Sequence, residues 1–192
     1  MRRILIVFCF FFVSVPAFAS IGKIGASFSP EFTIPYGKVD SAHGFTIMVD
    51  GSNTFEENGI LGIEYGNGIK IPMNSKNTAS QFLFKLGLFY KLKFTDMIGL
   101  DISGGFRERV WLQTSVDEDY YSMAVSASTD FYISAATDFT FFDAIGLSAG
   151  LMIAQPLVTM SLSDNSYDGG RFSVTGPTNI YISPFIGIYY VY

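Results

Sequence analysis

The chain has little of the chemistry from which many catalytic and metal sites are built. Its 192 residues include one cysteine and one histidine, so neither a disulfide framework nor a cysteine-based zinc site can form. Charged residues make up 15% of the chain, against about 25% in an ordinary soluble domain, which argues against a simple cytosolic globule. The formal net charge of −5 gives no electrostatic reason to expect nucleic acid as a partner.

Apolar and aromatic residues are abundant instead. Hydrophobic residues account for 49% of the chain, which holds 20 phenylalanines and 11 tyrosines, and this excludes intrinsic disorder. Beyond the amino-terminal segment no stretch reaches about 18 consecutive apolar residues, so the hydrophobicity does not come from transmembrane helices. The length corresponds to one domain.

Residues 1–19 have the pattern of a secretory signal peptide. Arg2 and Arg3 form the charged region, residues 4–15 form the apolar region, and Ala17-Phe18-Ala19 is an A-x-A cleavage pattern. An uncleaved anchor is the alternative, but the apolar stretch is shorter than the roughly 20 residues that a spanning helix needs. We therefore expect cleavage after residue 19 and a mature domain at 20–192. Because Cys9 lies in the apolar region, the mature chain then holds no cysteine.

The mature chain alternates with a period of two, which predicts β-strands. Over 121–134 the odd positions are largely apolar and the even positions are largely small and polar, and 82–92, 98–106 and 180–192 alternate in the same way. Helical periodicity is not convincing anywhere. We predict eight strands, with ten as the alternative count, near 21–29, 43–50, 59–71, 80–93, 97–112, 121–137, 145–160 and 178–192.

The predicted connections are of two kinds. Phe94-Thr95-Asp96 and Phe142-Asp143 are short turns, whereas 30–42, 113–120 and 161–177 are long, polar and rich in turn-forming residues. Within the last of these, Val158, Met160 and Leu162 continue one alternation while Phe172 and Val174 begin another. This predicts a hairpin that projects beyond the rest of the sheet with its tip at 164–170, either as an adhesive strand edge or as an extended rim.

The composition of the polar face favours a closed barrel with its polar side inward. A water-exposed sheet would carry many Lys, Glu and Thr, whereas here the polar positions are largely Gly and Ser, which suit a crowded interior of eight strands. We expect the sparse charges on this face to pair across the lumen and plug it, since unpaired charges there would be costly; charges that lined a gap would instead conduct. A secreted soluble barrel is the alternative architecture. The candidate lumen charges are Lys85, Lys91, Asp101, Arg107, Arg109 and Asp130.

The carboxyl end, Ile180 to Tyr192, ends on an aromatic residue preceded by apolar residues at alternate positions. In this and in its strand pattern, residues 20–192 resemble the small eight-stranded outer-membrane barrels of diderm bacteria, of the OmpX type and the OmpA transmembrane-domain type, with the OmpW type as second choice. The resemblance implies an all-β, closed antiparallel up-and-down transmembrane barrel with short turns in the periplasm and long loops outside. It also implies a monomer that contacts outer-membrane lipid. The barrel-assembly machinery would read a carboxyl-terminal signature formed by Ile186, Ile188, Tyr190 and Tyr192.

Three functions fit such a barrel. The first is a structural or surface-interaction, adhesin-like role, in which loops 30–42, 113–120 and 161–177 meet an extracellular ligand. The second is a narrow channel for small or apolar solutes. The third is a lipid-modifying enzyme centred on His43 with Ser41 and with Asp40 or Asp50, but such a triad is defined by geometry rather than by nearness in sequence.

We expect neither catalytic residues nor a cofactor, and we expect no metal site. The acidic stretches 117–119 and 164–170 do not match the spacing of a calcium-binding EF-hand loop, and Gly169-Gly170 is typical of a turn.

Overall fold

The computed structural model describes residues 22–36, 43–55, 60–73, 79–117, 120–141, 144–165 and 170–192, and every regular element within these ranges is a β-strand. No helix in these ranges is long and apolar enough to cross a membrane. The predicted signal peptide lies outside the described residues. The strands are β1 Gly22–Pro35, β2 Gly44–Thr54, β3 Leu61–Pro72, β4 Gln81–Lys93, β5 Ile98–Asp117, β6 Tyr120–Phe141, β7 Ile145–Asn165, β8 Arg171–Thr175 and β9 Asn179–Val191.

The strands close into a ring of eight. Each of β1 to β7 pairs antiparallel with the next, β7 pairs with β9, and β9 pairs with β1. The short strand β8 pairs with residues 159–163 of β7, whereas β9 pairs with residues 145–154 of the same strand, so β8 and β9 lie one after the other along one edge of β7. The predicted closed antiparallel up-and-down barrel is thereby confirmed.

The two ends of the barrel differ in their connections. We call one the turn end; it holds Gly22, Tyr192 and the connections 55–60, 94–97 and 142–144. The other, the loop end, holds the connections 36–43, 73–80, 118–119 and 166–170. At the turn between β4 and β5, the backbone N–H groups of Phe94 and Thr95 both donate to the Ile98 carbonyl, as the predicted short turn requires.

The register fixes the tilt of the strands. Following directly opposite residues from strand to strand once around the ring leads from Lys23 to Thr33, ten residues further along β1. With a rise of about 3.3 Å per residue and a strand spacing of about 4.8 Å, this stagger inclines the strands about 40° to the barrel axis. The path runs through Lys23, Ser52, Glu64, Gly87, Gly105, Tyr132, Ala154, Tyr181 and Thr33.

One β-bulge interrupts the ladder between β6 and β7. Asp130 pairs with Pro156 whereas the preceding Thr129 pairs with Val158, so Leu157 is an extra residue on β7. Because side chains alternate along a strand, the extra residue changes which parity faces inward: Ala154 is buried below it, whereas Thr159 faces inward above it and donates to Ser128 Oγ.

The strands near the loop end are longer than the sequence predicts. β1 continues to Pro35, β5 and β6 leave only 118–119 between them, and Arg171–Thr175 forms β8, so much of the predicted loops 30–42, 113–120 and 161–177 is strand. For 30–42 and 113–120 the loop predictions were wrong because polar residues there were taken as a sign of a loop, whereas a strand that projects into water is polar too. Within 161–177 the strands are those of the predicted hairpin. Beside β8, Gly176-Pro177 separates it from β9, since proline offers no N–H to a ladder.

Candidate functional site: the charged lumen and the projecting sheet

The two faces of the ring follow the alternation in the sequence. On β6 the even positions Ser126, Ser128 and Asp130 are buried in the lumen, while Val125 and Phe131 are exposed on the outside. The outward face is largely apolar on every strand of the ring, with the hydrogen-bonded pair Glu108 and Thr129 as a polar exception. The lumen is filled mainly by polar and small side chains, as the alternation in the sequence predicts, together with larger ones such as Leu83 and Phe89.

Glycine makes room for a large aromatic side chain in the lumen near mid-height. A Cβ atom at Gly87 would overlap the hydroxyl of Tyr132, which is fully buried and donates to Glu64 Oε1 at 2.5 Å. An inward-facing residue with any side chain at position 87 would therefore force Tyr132 to move. The charged side chains of the lumen fall into three clusters at different heights around this tyrosine.

The loop-end cluster consists of Glu31, Lys70, Arg107, Arg109 and Asp130. Glu31 binds Lys70 Nζ and Arg107 Nη1, each at 2.7 Å. Asp130 Oδ2 lies 3.0 Å from Arg107 Nη2 and 2.7 Å from Arg109 Nε, and its Oδ1 accepts from Arg109 Nη2 at 2.9 Å. All five side chains are between 0% and 3% exposed, so this cluster is a dry, continuous ion-pair network across the lumen.

Neutral groups complete the loop-end cluster. The Tyr181 ring lies under the Arg109 guanidinium, 4.1 Å from its Cζ, which is a cation–π arrangement. Ser128 donates to Asp130 Oδ1 at 2.9 Å, and Ser183 donates to Glu31 Oε2 at 3.4 Å. Buried charges that are both paired and hydrogen-bonded escape most of the cost of leaving water.

The middle cluster consists of Asp50, Glu64 and Lys85. Lys85 Nζ lies 3.1 Å from Asp50 Oδ1 and 3.3 Å from Glu64 Oε2. The hydroxyls of Ser27 and Tyr132 each donate to one of these carboxylates at 2.5 Å. One lysine therefore serves two carboxylates, and hydroxyl groups supply the remaining contacts.

The turn-end cluster consists of Lys23, Lys91, Asp101 and Asp138. Lys23 Nζ is 2.6 Å from Asp101 Oδ2 and also pairs with Asp138, which lies 3.2 Å from Lys91 Nζ. These side chains are 4% to 18% exposed. A cavity of about 280 Å³ at the mouth of the barrel adjoins them, and a second cavity of about 130 Å³ extends from them toward the middle cluster.

Opposite charges balance across the three clusters. The loop-end cluster has one cation in excess, the middle cluster has one carboxylate in excess, and the turn-end cluster is neutral, which leaves six cations and six carboxylates in all. A net neutral interior is what a narrow, poorly hydrated lumen requires.

All six candidate lumen charges face the lumen, but in separate clusters. Arg107, Arg109 and Asp130 share the loop-end cluster, Lys91 and Asp101 share the turn-end cluster, and Lys85 lies between them. The residues that pair with these six charges were not predicted from the sequence. Most of the partners alternate with outward apolar residues along their strands, which is a signal that could identify them, whereas Glu31 lies in a segment predicted as a loop. The missed residues are Lys23, Glu31, Asp50, Glu64, Lys70 and Asp138.

His43, the residue of the enzymatic hypothesis, lies at the loop end. Its Nδ1 accepts a hydrogen bond from the Thr33 backbone N–H at 3.2 Å, and its ring packs edge-on against Phe32. Asp50 is seven residues further along and belongs to the middle cluster, on the order of 20 Å away along the extended chain. Asp40 and Ser41 lie outside the described residues. The geometry thus separates His43 from Asp50.

No group of three or more acidic, histidine or cysteine side chains suited to a metal ion occurs in the described part of the chain. The acidic stretches considered above lie partly outside it, at 118–119 and 166–169.

Three strands of the ring, β5, β6 and β7, extend beyond the others at the loop end, and β8 pairs with the extended part of β7. Their outer parts, about 110–117, 120–128, 158–165 and 171–175, form what we call the projecting sheet. Its outward face carries two rows of paired apolar side chains, which we call the apolar rows. They are Leu112, Val125, Leu162 and Phe172, and below them Val110, Ala127, Met160 and Val174.

The inward face of the projecting sheet is polar. Ser126 and Ser161 hydrogen-bond at 2.9 Å, and Ser163 donates to the Arg171 carbonyl at 3.4 Å. Trp111 also faces inward, with its ring centroid 6.0 Å from the Arg109 guanidinium, so it caps the loop-end cluster at the rim. The predicted projecting hairpin is therefore present and is part of a wider sheet.

A closed ring of eight antiparallel strands, apolar outside and charge-paired inside, is the fold of the small outer-membrane β-barrel proteins. Neisserial surface protein A matches with a TM-score of 0.58 at 10% identity, over 86% of this chain and 95% of that one. Ail of Yersinia pestis matches with a TM-score of 0.54 at 9% identity, over 91% of this chain and 99% of that one.

The N-terminal barrel of Pseudomonas aeruginosa OprF matches with a TM-score of 0.50 at 12% identity, over 89% of this chain and 99% of that one. At such identities the likeness is one of fold. Comparison with protein-family models gives no match, and comparison with curated protein sequences gives none either.

Proposed function

We propose that the protein is an integral barrel of the outer membrane of a diderm bacterium, with a structural or surface-interaction, adhesin-like role. The observation that carries this proposal is the combination of a closed ring, a predominantly apolar outer face and charge-balanced clusters in the lumen. In hydrocarbon, strands can satisfy their backbone groups only by closing in this way. A barrel surrounded by water would instead be expected to carry polar side chains on its outer face.

The orientation follows from the connections. Outer-membrane barrels have short periplasmic turns and longer external loops, so we place the turn end in the periplasm and the loop end outside. In this orientation the projecting sheet faces the surroundings of the cell. A leader at 1–19 would direct export and be removed, and the barrel-assembly machinery would read the last strand, where Ile186, Ile188, Tyr190 and Tyr192 face outward toward outer-membrane lipid. The ring closes within one chain, so a single copy suffices to form the barrel.

The surface role rests on the projecting sheet, which is the part of the barrel that reaches furthest from the membrane. One of the structures with this fold, Ail, has been crystallised with the heparin analogue sucrose octasulfate. The apolar rows of this chain present a different chemistry from one that would bind a polyanion. We therefore assign the apolar rows to contact with an apolar protein surface, either of another protein or of a second copy of this chain, rather than to sulfate recognition.

A narrow channel is the second candidate function, and the two cavities of about 280 and 130 Å³ near the turn end favour it. The dry loop-end cluster opposes it, because five interlinked side chains cross the lumen above both cavities. We therefore propose a closed lumen, and neither catalysis nor a cofactor forms part of the proposal. The contacts of His43 with Thr33 and Phe32 suit a residue of the rim.

Two measurements test the proposal. The folded protein should stay in the membrane fraction when membranes are washed with concentrated salt. Detergent should release it as a folded monomer or small oligomer. Release into salt solution alone would contradict membrane integration. Purified protein in planar lipid bilayers should show no discrete conductance steps. Regular openings of uniform size from well-folded protein would instead establish the channel.

A further inference from the structure

The apolar outer face is much taller on one side of the barrel than on the other. On β1 it runs from Ile24 to Ile34. On β6 the outward side chains from Phe141 to Val125 are largely apolar, with a polar break at Thr129, which hydrogen-bonds Glu108. At about 2.5 Å of height per tilted residue, these runs span about 25 Å and about 40 Å. Because the lipid-facing band of such barrels is about 25 Å tall, hydrocarbon covers β1 fully but leaves roughly 15 Å of apolar surface on β6 uncovered.

The uncovered surface coincides with the apolar rows. Six of their large side chains, Leu112, Val125, Met160, Leu162, Phe172 and Val174, are between 42% and 64% exposed. With about 200 Å² for each fully exposed residue, the patch offers roughly 600 Å². This is the upper end of the range for the largest apolar patch on a typical monomer, and such patches are often functional.

We propose that this patch is the interface at which two copies of the chain associate in the membrane. Two facing patches of roughly 600 Å² would bury about 1,200 Å² in total, which reaches the lower limit for specific protein–protein interfaces. All eight positions of the apolar rows are uncharged, so the patch is complementary to itself. This matters because, with the leader removed, the chain has an acidic excess, and copies that approached through charged surfaces would repel each other.

The orientation of the barrels supports a twofold arrangement, and the inference rests on the membrane location proposed above. Two copies in one membrane point the same way, so a twofold axis parallel to the membrane normal brings the same faces together. Strands inclined about 40° to that axis then cross their symmetry mates at about 80°, close to the orthogonal class of sheet packing. The same symmetry prevents β8 from forming an antiparallel ladder with its own copy, so association uses the apolar faces rather than the strand edges.

Cysteine cross-linking in vesicles tests the interface directly, because the described chain holds no cysteine of its own. Leu162→Cys lies in the middle of the upper row and should give a disulfide-linked dimer under mild oxidation. Ser173→Cys is the matched control, since it is exposed at a similar height on the inward face of the same sheet. We expect at least tenfold more dimer from Leu162→Cys. Equal yields from the two variants would indicate random collision and overturn the proposal.

The oligomeric state gives an independent test. Counting subunits of labelled wild-type protein in vesicles should show dimers, and a Leu162→Gln/Phe172→Gln variant should lower the dimer fraction at least tenfold. Met73→Gln, an exposed apolar residue at the loop end of β3, should leave the dimer fraction unchanged. Monomers at all lipid-to-protein ratios would overturn the proposal and would mean that lipid or a different protein covers the rows. Failure of the barrel to enter vesicles at all would contradict the membrane location instead, so the two failures are distinguishable.

Discussion

The loop-end and turn-end clusters use the same chemistry at opposite ends of one lumen. Each holds two carboxylates, and each carboxylate contacts two cations. They differ in their access to water, because the loop-end side chains are at most 3% exposed whereas the turn-end side chains reach 18% and border a cavity of about 280 Å³. Burial, rather than the number of ion pairs, therefore distinguishes the cluster that crosses a dry part of the lumen from the cluster that borders a cavity.

The largest expected effect comes from removing the carboxylate shared by two arginines. Asp130→Ala leaves three buried cations facing Glu31 alone, and breaking a buried ion pair on one side costs about 3–5 kcal/mol. The measurement is urea unfolding of the barrel in lipid vesicles. Asp101→Ala is the counterpart at the turn end and should cost clearly less, since water reaches its partners. Equal losses in the two variants would mean that the difference in burial has no energetic consequence.

Arg107→Ser should change conduction more than stability. Without Arg107, Glu31 keeps Lys70 and Asp130 keeps Arg109, so every carboxylate of the loop-end cluster remains paired and the cluster becomes neutral. The lost guanidinium leaves space across the lumen, and discrete openings should appear in planar bilayers where the wild type shows none. The matched turn-end variant, Lys91→Ser, should stay closed. If both variants remain silent, a barrier elsewhere closes the lumen.

A substitution in the middle cluster should lower the free energy of unfolding by an amount between those expected for the loop-end and turn-end clusters. Tyr132→Phe removes the hydroxyl that donates to Glu64 at 2.5 Å but keeps the ring that fills the lumen. Because Glu64 loses one buried hydrogen-bond donor but keeps its lysine, the substitution should lower the free energy of unfolding by about 1–2 kcal/mol. Tyr90→Phe, on the outward face of β4, is the control and should change little. If Tyr132→Phe lowered the free energy of unfolding as much as Asp130→Ala does, the middle cluster would contribute as much to stability as the loop-end cluster.

The smallest effect should come from Lys91→Met. Lys23 still bridges Asp101 and Asp138 in this variant, and the methionine retains the apolar stem of the lysine. For a partly hydrated ion pair we expect a loss of about 1 kcal/mol or less. Raising the salt concentration should narrow the difference between variant and wild type further. A loss above 3 kcal/mol would show that the turn-end cluster is as dry as the loop-end one.

Much of the fold could be predicted from the sequence because strand parity is a local property. Residues 121–134 alternate so regularly that the inward and outward faces of β6 were assigned correctly. The inward position of Arg107, Arg109 and Asp130 followed from the same alternation. A closed ring then follows from the combination of an apolar face with strands that leave no free edge in a membrane.

The rest depends on contacts between distant strands. Glu31 is separated from Arg107 by 76 residues, and no local pattern shows that the two meet. The strand ends at Asp117 and Asn165 were missed for a related reason, because polar residues there remain in the ladder only through pairing with β6. The exact partners in each cluster depend on the stagger of the ring, which the alternation alone does not reveal.

The bulge at Leu157 has a consequence for how the gene can change. Loss of the single codon for Leu157 would turn the bulge into a regular ladder and would keep every other side chain of β7 on its present face. Loss of one codon for Ala127 on β6 would instead reverse the faces of the segment from Ser122 to Ser126, placing serines outside and Val125 inside. A deletion of one codon is therefore tolerated at Leu157, because the inward and outward side chains of β7 keep their faces.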